Sequence, residues 1–286
     1  MSVSLSAMRN VAHTAFMTAA IRALESERPD RLFTDPFARS LAGEEGFRML
    51  RSPEGGMPDA GVYIAIRTRF FDDFAVSAAN AGIRQVVLVA AGMDTRALRL
   101  EWPASTTVFE LDDPQLLHLK NSILGGHPSS AQCHRVPVGV DLEGVWSSVL
   151  EAAGFRASAA SLWLAEGLFY YLQENAVAAI LARISENSAP GSALGADFIS
   201  RSFLTSPWMT RALNSLAKQG TPWLSATNDP EGLLGSLGWS AHVTSPGEPG
   251  AGQGRWPYPV LPRSVKEVPH SFMVTAHKEE QRQGTS

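Results

Sequence analysis

The stretch Gln85-Val86-Val87-Leu88-Val89-Ala90-Ala91-Gly92-Met93-Asp94-Thr95-Arg96 decides the fold. A short apolar run stops at small residues and passes into a helix-length segment, the pattern of one βα unit in a parallel sheet buried on both faces. Four more runs repeat it, at Thr106 to Leu111, His134 to Gly139, Ser161 to Ala165 and Ala193 to Phe198. Helices are expected between them, around Thr95 to Leu100, Pro114 to Leu124, Gly144 to Ala153 and Glu174 to Ser188. Two further strands, Trp239 to Thr244 and Ser271 to Ala276, close the chain. The expected class is α/β, a mostly parallel seven-stranded sheet with helices on both faces.

Upstream of Gly82 the chain reads as helical. Val11, Ala15 and Ala19, with Phe16, Ala20 and Ala23, put one helix face on Met8 to Leu24. Asp35-Pro36 caps a second helix running towards Leu50, Ser52 to Pro58 breaks it, and a third helix spans Gly61 to Ala81. Downstream, Phe203, Trp208 and Trp223 mark Ser200 to Gly238 as a helical lid rather than a linker. Between Pro246 and Pro262, nine of seventeen positions are Gly or Pro, which predicts a mobile surface loop. One domain over residues 1–286 is expected: a helical cover (1–82), a βα core (83–199), the lid (200–238) and the closing strands (239–286).

Composition narrows the class of function. Of 286 residues 44% are apolar and 18% charged, enough to build a core. The net charge of −4 comes without any Lys/Arg-rich run, so neither nucleic acid nor a membrane surface is an expected partner. Cys133 is the only cysteine, which excludes an internal disulfide and a cysteine metal cluster. Neither an apolar leader nor a run long enough to span a bilayer is present, and a cytoplasmic location is expected. Oligomeric state is not legible.

In an open parallel sheet, ligands bind beyond the carboxyl ends of the strands. The first strand exits through Ala90-Ala91-Gly92, where small residues let backbone approach a ligand, or merely pack. The second exits through Glu110-Leu111-Asp112-Asp113-Pro114, and Asp112 stands twenty residues after Gly92. That is the distance at which a carboxylate grips a ribose diol. Asp113, ahead of Pro114, reads as a helix cap. The glycine fingerprint for a pyrophosphate is absent, which disfavours NAD and FAD and favours a ribose-bearing ligand without phosphate, such as S-adenosylmethionine.

Taken together, Arg67-Thr68-Arg69-Phe70-Phe71-Asp72, the Gln85 to Arg96 run, Phe109 to Pro114, Val140-Asp141-Leu142 and Trp163-Leu164-Ala165-Glu166-Gly167-Leu168 resemble the leucine carboxyl methyltransferase family, particularly its bacterial small-molecule branch. The resemblance spans roughly residues 10 to 200 in order, and the tail is only loosely similar. It implies a class I methyltransferase fold and S-adenosylmethionine as cofactor. Arg67 would pair with the methionine carboxylate, while Arg22 corresponds to a more variable basic residue on the first helix. Ala90 and Gly92 would face the methionine moiety through backbone, Asp112 the ribose, Asp141 and Leu142 the adenine, and Glu166 the amino group. Ala90 departs from the glycine that many family members carry. The plainer readings are that Arg67 pairs with Asp72 or Asp73 as surface ions and that Asp94 and Arg96 pair locally. Glu166, inside an apolar run, is harder to dismiss because a buried carboxylate needs a partner.

Methyl transfer is an in-line displacement that needs no metal, and no side chain is assigned as catalytic. A carboxylate acceptor is ionised at neutral pH and needs no base, whereas an alcohol or phenol usually wants one. The seven histidines show no partner motif, which favours a carboxylate. Tyr170, Tyr171, Phe203, Trp208 and Trp223 are candidates to line a pocket for a flat small-molecule acceptor, or to form the lid core, and Arg201 to hold an acidic one. The alternatives are methylation of a protein C-terminal carboxylate and a non-catalytic binding protein on the same fold.

Overall fold

In the computed structural model the described residues are 2–51, 59–125, 133–265 and 267–279. Three helices lead: α1 (Ser2–Ser26), α2 (Ala38–Arg51) and α3 (Ala60–Asn80). The alternating core follows: β1 (Gln85–Val89), α4 (Arg96–Arg99), β2 (Thr107–Asp112), α5 (Pro114–Leu124), β3 (His134–Gly139), α6 (Ser147–Ala152), β4 (Ser161–Ala165), α7 (Glu174–Glu186) and β5 (Ala193–Ile199). The lid carries α8 (Arg201–Thr205), α9 (Thr210–Lys218) and α10 (Pro230–Gly235), and β6 (Trp239–Thr244) and β7 (Ser271–Lys278) end the sheet. The expected break at Ser52 to Pro58 lies outside the described residues.

Strand order is β3-β2-β1-β4-β5-β7-β6. All neighbours are parallel except along β7, which runs antiparallel to both β5 and β6. The order reverses between β1 and β4, opening a crevice at their carboxyl ends. Strand periodicity explains why β1 shows no polar alternation: Val87 and Val89 belong to the core under α6 and α7, whereas Val86 and Leu88 belong to the core under α3. A third cluster joins α1 and α2 to Met93, Leu98 and Leu116, so the helical cover is packed onto the strand ends.

The expected boundaries shift for local reasons. β1 stops at Val89 because Ala90 turns into the left-handed region (φ 55°). α6 starts at Ser147 rather than Gly144 because Gly144 N donates to the Asp141 carbonyl (2.9 Å) and closes a turn first. Asp35 caps the entry to α2 by accepting from the Phe37 and Ala38 N–H groups, and the helix kinks at Gly43. Among the described residues no helix is long and apolar enough to cross a membrane.

Candidate functional site

A cavity of about 250 Å³ lies over the carboxyl ends of β1, β2 and β4. Its floor is the turn after β1, its back wall comes from α1 and α3, and its roof from the lid and the segment joining β6 to β7.

At the floor, Asp112 Oδ2 accepts from Gly92 N and its Oδ1 from Asp113 N, both at 2.7 Å. The carboxylate therefore locks the β1 and β2 exits together while still lining the cavity. Burial lifts its pKa above the usual carboxylate value, and those two N–H bonds only partly offset the rise. The adjacent Asp113 caps α5, accepting from Gln115 N (2.8 Å) and Leu116 N (3.3 Å).

The back wall is a chain of buried ion pairs. Arg22 Nε meets Asp35 Oδ2 at 2.9 Å, and its NH2 donates to the Met93 carbonyl. Asp35 also accepts from Thr95 Oγ1 (2.7 Å), which in turn accepts from Arg99 Nε (3.1 Å). Arg99 forks onto Asp72, Asp72 accepts from Arg96 Nε (2.7 Å), and Arg96 also holds Asp94 and Glu166. Burial alone would raise the Asp94 carboxyl, but the Arg96, Arg99 and Arg22 guanidiniums outweigh it and hold it at about 2. Burial dominates for Glu166, whose pKa stays raised despite Arg96 and Arg67.

Arg67 closes this chain. Its NH1 donates to Asp197 Oδ2 (2.8 Å) and to the Tyr170 hydroxyl (3.3 Å). Its Nε lies 3.4 Å from Glu166 Oε2 and is buried with no hydrogen-bond partner among the described residues. Asp72 and Asp73 are engaged elsewhere, with Arg96 and Arg99 and with Arg69, so the surface pairing considered for Arg67 does not form.

Of the residues expected at a cofactor site, Arg22, Arg67, Ala90, Gly92, Asp112, Leu142 and Glu166 all line the one cavity. Asp141 does not: it is exposed, and its carboxylate accepts from Glu143 N (3.0 Å) within its own turn. Of the acceptor candidates, Tyr170, Tyr171, Phe203 and Trp223 line it, and all but Phe203–Tyr170 and Phe203–Tyr171 meet ring to ring, with Tyr170 and Trp223 centroids 4.4 Å apart. Two candidates need correction. Arg201 opens α8 on its solvent side, pairs with Glu174 at 3.3 Å and is absent from the cavity wall. Trp208, in the turn between α8 and α9, is 76% exposed and also lies outside it.

Several residues in or behind the cavity wall escaped the sequence reading. Tyr63 sits four residues before Arg67, hence on the same face of α3, and donates to Asp197 Oδ2 (3.0 Å). Asp197 carries the same signal as Glu166, a lone carboxylate in an apolar strand. Trp256 and Tyr258 come from the expected surface loop, which is exposed over most of its length and also runs as a strap across the cavity mouth. Among the described residues no group of three or more His, Cys, Asp or Glu is placed to hold a metal ion.

The profile of the leucine carboxyl methyltransferase family matches residues 15–185. A Streptomyces coelicolor protein named "Putative S-adenosyl-L-methionine-dependent methyltransferase" is 40% identical over 261 residues, 87% of this chain and 90% of that protein. A Rhodococcus jostii protein of the same description is 46% identical over 194 residues, 66% of each chain. Among solved structures, a DUF574 family protein from Streptomyces avermitilis superposes with a TM-score of 0.61 at 16% identity, covering 91% of this chain and 96% of that one. A Thermobifida fusca structure described as a putative methyltransferase gives 0.56 at 16% identity, covering 92% and 94%. At that identity the likeness is one of fold, and the fold is the class I methyltransferase type.

Proposed function

The chain belongs to the leucine carboxyl methyltransferase family and is an S-adenosylmethionine-dependent methyltransferase, and from that premise we propose that it esterifies a carboxylate of a small, flat, largely apolar acceptor. The cavity suits the cofactor. Arg67 keeps a buried Nε–H without a hydrogen bond, suited to an α-carboxylate, and Glu166 beside it suits the amino group. Asp112 is placed to accept from a ribose diol and Leu142 to pack on the adenine. When bound, S-adenosylmethionine supplies an electrophilic methyl group on a sulfonium.

One observation carries the choice of acceptor: among the described residues, the acceptor end of the cavity offers tyrosine hydroxyls and, of possible bases, only carboxylates. Among the described residues lining it there is no histidine. Burial, reinforced by Asp197, pushes the Tyr63 and Tyr170 hydroxyls well above the ordinary tyrosine value, and burial raises Tyr171 too. These hydroxyls stay protonated at neutral pH; Tyr63 gives its proton to Asp197, while Tyr170, which accepts from Arg67, keeps its own to donate. A carboxylate arrives ionised and needs only such donors and alignment, while a phenol or alcohol would need a proton removed. The aromatic lid and the strap both line this end, where their rings would shield the reacting pair from water. They also line the acceptor end with aromatic rings, which favours a small flat molecule over a protein C-terminus.

The test is transfer of labelled methyl to panels of aryl and alkyl carboxylic acids and matching phenols. A product that releases methanol in mild base supports the ester, and a base-stable ether overturns it. Label in a protein band would support the protein-carboxyl alternative. Folded protein that binds S-adenosylmethionine and transfers nothing would favour a non-catalytic role.

A further inference from the structure

Asp197 is fully buried in β5 and stands behind the cavity wall without lining it. A carboxylate there is costly, and for stability alone a well-packed apolar pair in place of Asp197 and Arg67 would serve as well or better. Its three hydrogen bonds say what it does instead. Oδ2 accepts from Arg67 NH1 (2.8 Å) and from the Tyr63 hydroxyl (3.0 Å), and Oδ1 accepts from Gly167 N (2.6 Å). Gly167 is the left-handed residue (φ 66°) that follows Glu166. One side chain therefore orients the cation and anchors the turn carrying the anion that together face a zwitterionic amino-acid group.

We propose that Asp197 is a positioning residue for cofactor binding: it takes up Arg67 NH1, leaving the Nε edge for the cofactor's α-carboxylate, and holds the Glu166 turn in register. The inference rests on the cofactor reading above. Tyr63 shares the same carboxylate oxygen, so the aim of Arg67 is tied to the acceptor wall as well. Without this tether Arg67, whose Nε already lies 3.4 Å from Glu166, would close into a full hydrogen bond with that carboxylate, and the two charges would satisfy each other rather than the ligand.

The experiment is calorimetric titration with S-adenosylhomocysteine, which carries the amino-acid group, and 5′-methylthioadenosine, which lacks it. Asp197→Asn keeps an acceptor for Gly167 N but turns a donor against Arg67 NH1. It is expected to weaken S-adenosylhomocysteine by about tenfold or more while leaving methylthioadenosine within about twofold. Equal losses for both ligands would signal a merely structural role and overturn the proposal, as would unchanged S-adenosylhomocysteine affinity. If Asp197→Asn fails to fold, Arg67→Gln is compared with the charge-balanced Arg67→Gln/Asp197→Asn pair. Equal S-adenosylhomocysteine affinity in the two supports action through Arg67, and a further loss in the double variant overturns it. Wild-type protein that bound neither ligand would overturn the cofactor reading and this proposal together, a result distinct from wild-type binding that the substitution leaves unchanged.

Discussion

Ala90 holds a backbone conformation (φ 55°) that an L-residue with a Cβ adopts only at a cost, and it does so where the chain turns from β1 into the cavity floor. The glycine that the family resemblance leads one to expect here would have a plain physical reason. Ala90→Gly is expected to raise unfolding free energy by up to about 1 kcal/mol in urea titration, the left-handed penalty outweighing the added chain entropy. A loss of stability would mean that the methyl group's packing on the core matters more. The converse holds at Gly167 (φ 66°), where an added Cβ would stand 3.2 Å from Arg67 NH1 and 3.4 Å from its NH2. Gly167→Ala is expected to cost about 1–2 kcal/mol and to weaken S-adenosylmethionine binding, because the strained turn and the displaced guanidinium are the same defect. Asp112→Ala should weaken binding by about 2 kcal/mol or more in calorimetry, since it removes both the charged acceptor and the lock on Gly92. The Asp113 cap was legible from Pro114, and spacing alone singled out Asp112 as a residue of the cavity wall. Arg201 was not, because a residue just past a strand can face the cavity or the solvent, and the direction of α8 decides which.

Among the elements, the strands were the most legible part of the chain, since buried β-strands advertise themselves as apolar runs between breakers. The strap between β6 and β7 was the least. Its Gly and Pro content signals turns, but two of the glycines serve contact rather than mobility. A Cβ at Gly247 would lie 2.4 Å from Trp256 Cδ1 and 2.6 Å from Val260 Cγ2, and one at Gly252 would lie 2.5 Å from the Pro246 carbonyl. Trp256 nests in that space and reaches the cavity. The strap is then tied to the end of α1, with Arg255 reaching Glu25 at 2.7 Å and Asp30 at 3.1 Å. Local composition cannot report contacts made more than two hundred residues away in sequence. Arg255→Ala is expected to speed protease nicking between residues 246 and 262 several-fold, read by mass spectrometry of timed digests. Gly247→Val, which evicts Trp256, should do so more strongly. An unchanged nicking rate in both would show that the strap holds itself closed without either contact.

At the scale of the whole molecule, the buried charges join the helical cover to the sheet. Asp35 links α1 to the β1 exit, Asp72 links α3 to α4, and Asp197 links α3 to β5. Breaking such a pair leaves its partner charge buried, so these groups set how the fold responds to acid. For Asp94 and Asp35, burial works against ionisation, but neighbouring guanidiniums win and the folded-state pKa is lowered, to about 2 for Asp94. A depressed carboxyl contributes stability that is fully present above its unfolded value, near 3.8, and is lost as pH falls towards the folded value. Glu166 and Asp112 act with the opposite sign: burial raises them, so their folded-state preference is for the protonated form and their contribution declines as pH rises through the carboxylate range. Urea midpoints should therefore fall between roughly pH 4 and pH 2, with Asp94 alone accounting for about 2 kcal/mol of the loss. The check is Asp94→Asn measured beside the wild type across that range. The variant should be less stable by about 2 kcal/mol at pH 7, and the gap should close as the wild-type carboxyl takes up its proton near pH 2. A gap that stayed constant with pH would mean that Asp94 contributes through its shape and hydrogen bonds rather than its charge, and that the acid limb belongs to other carboxylates.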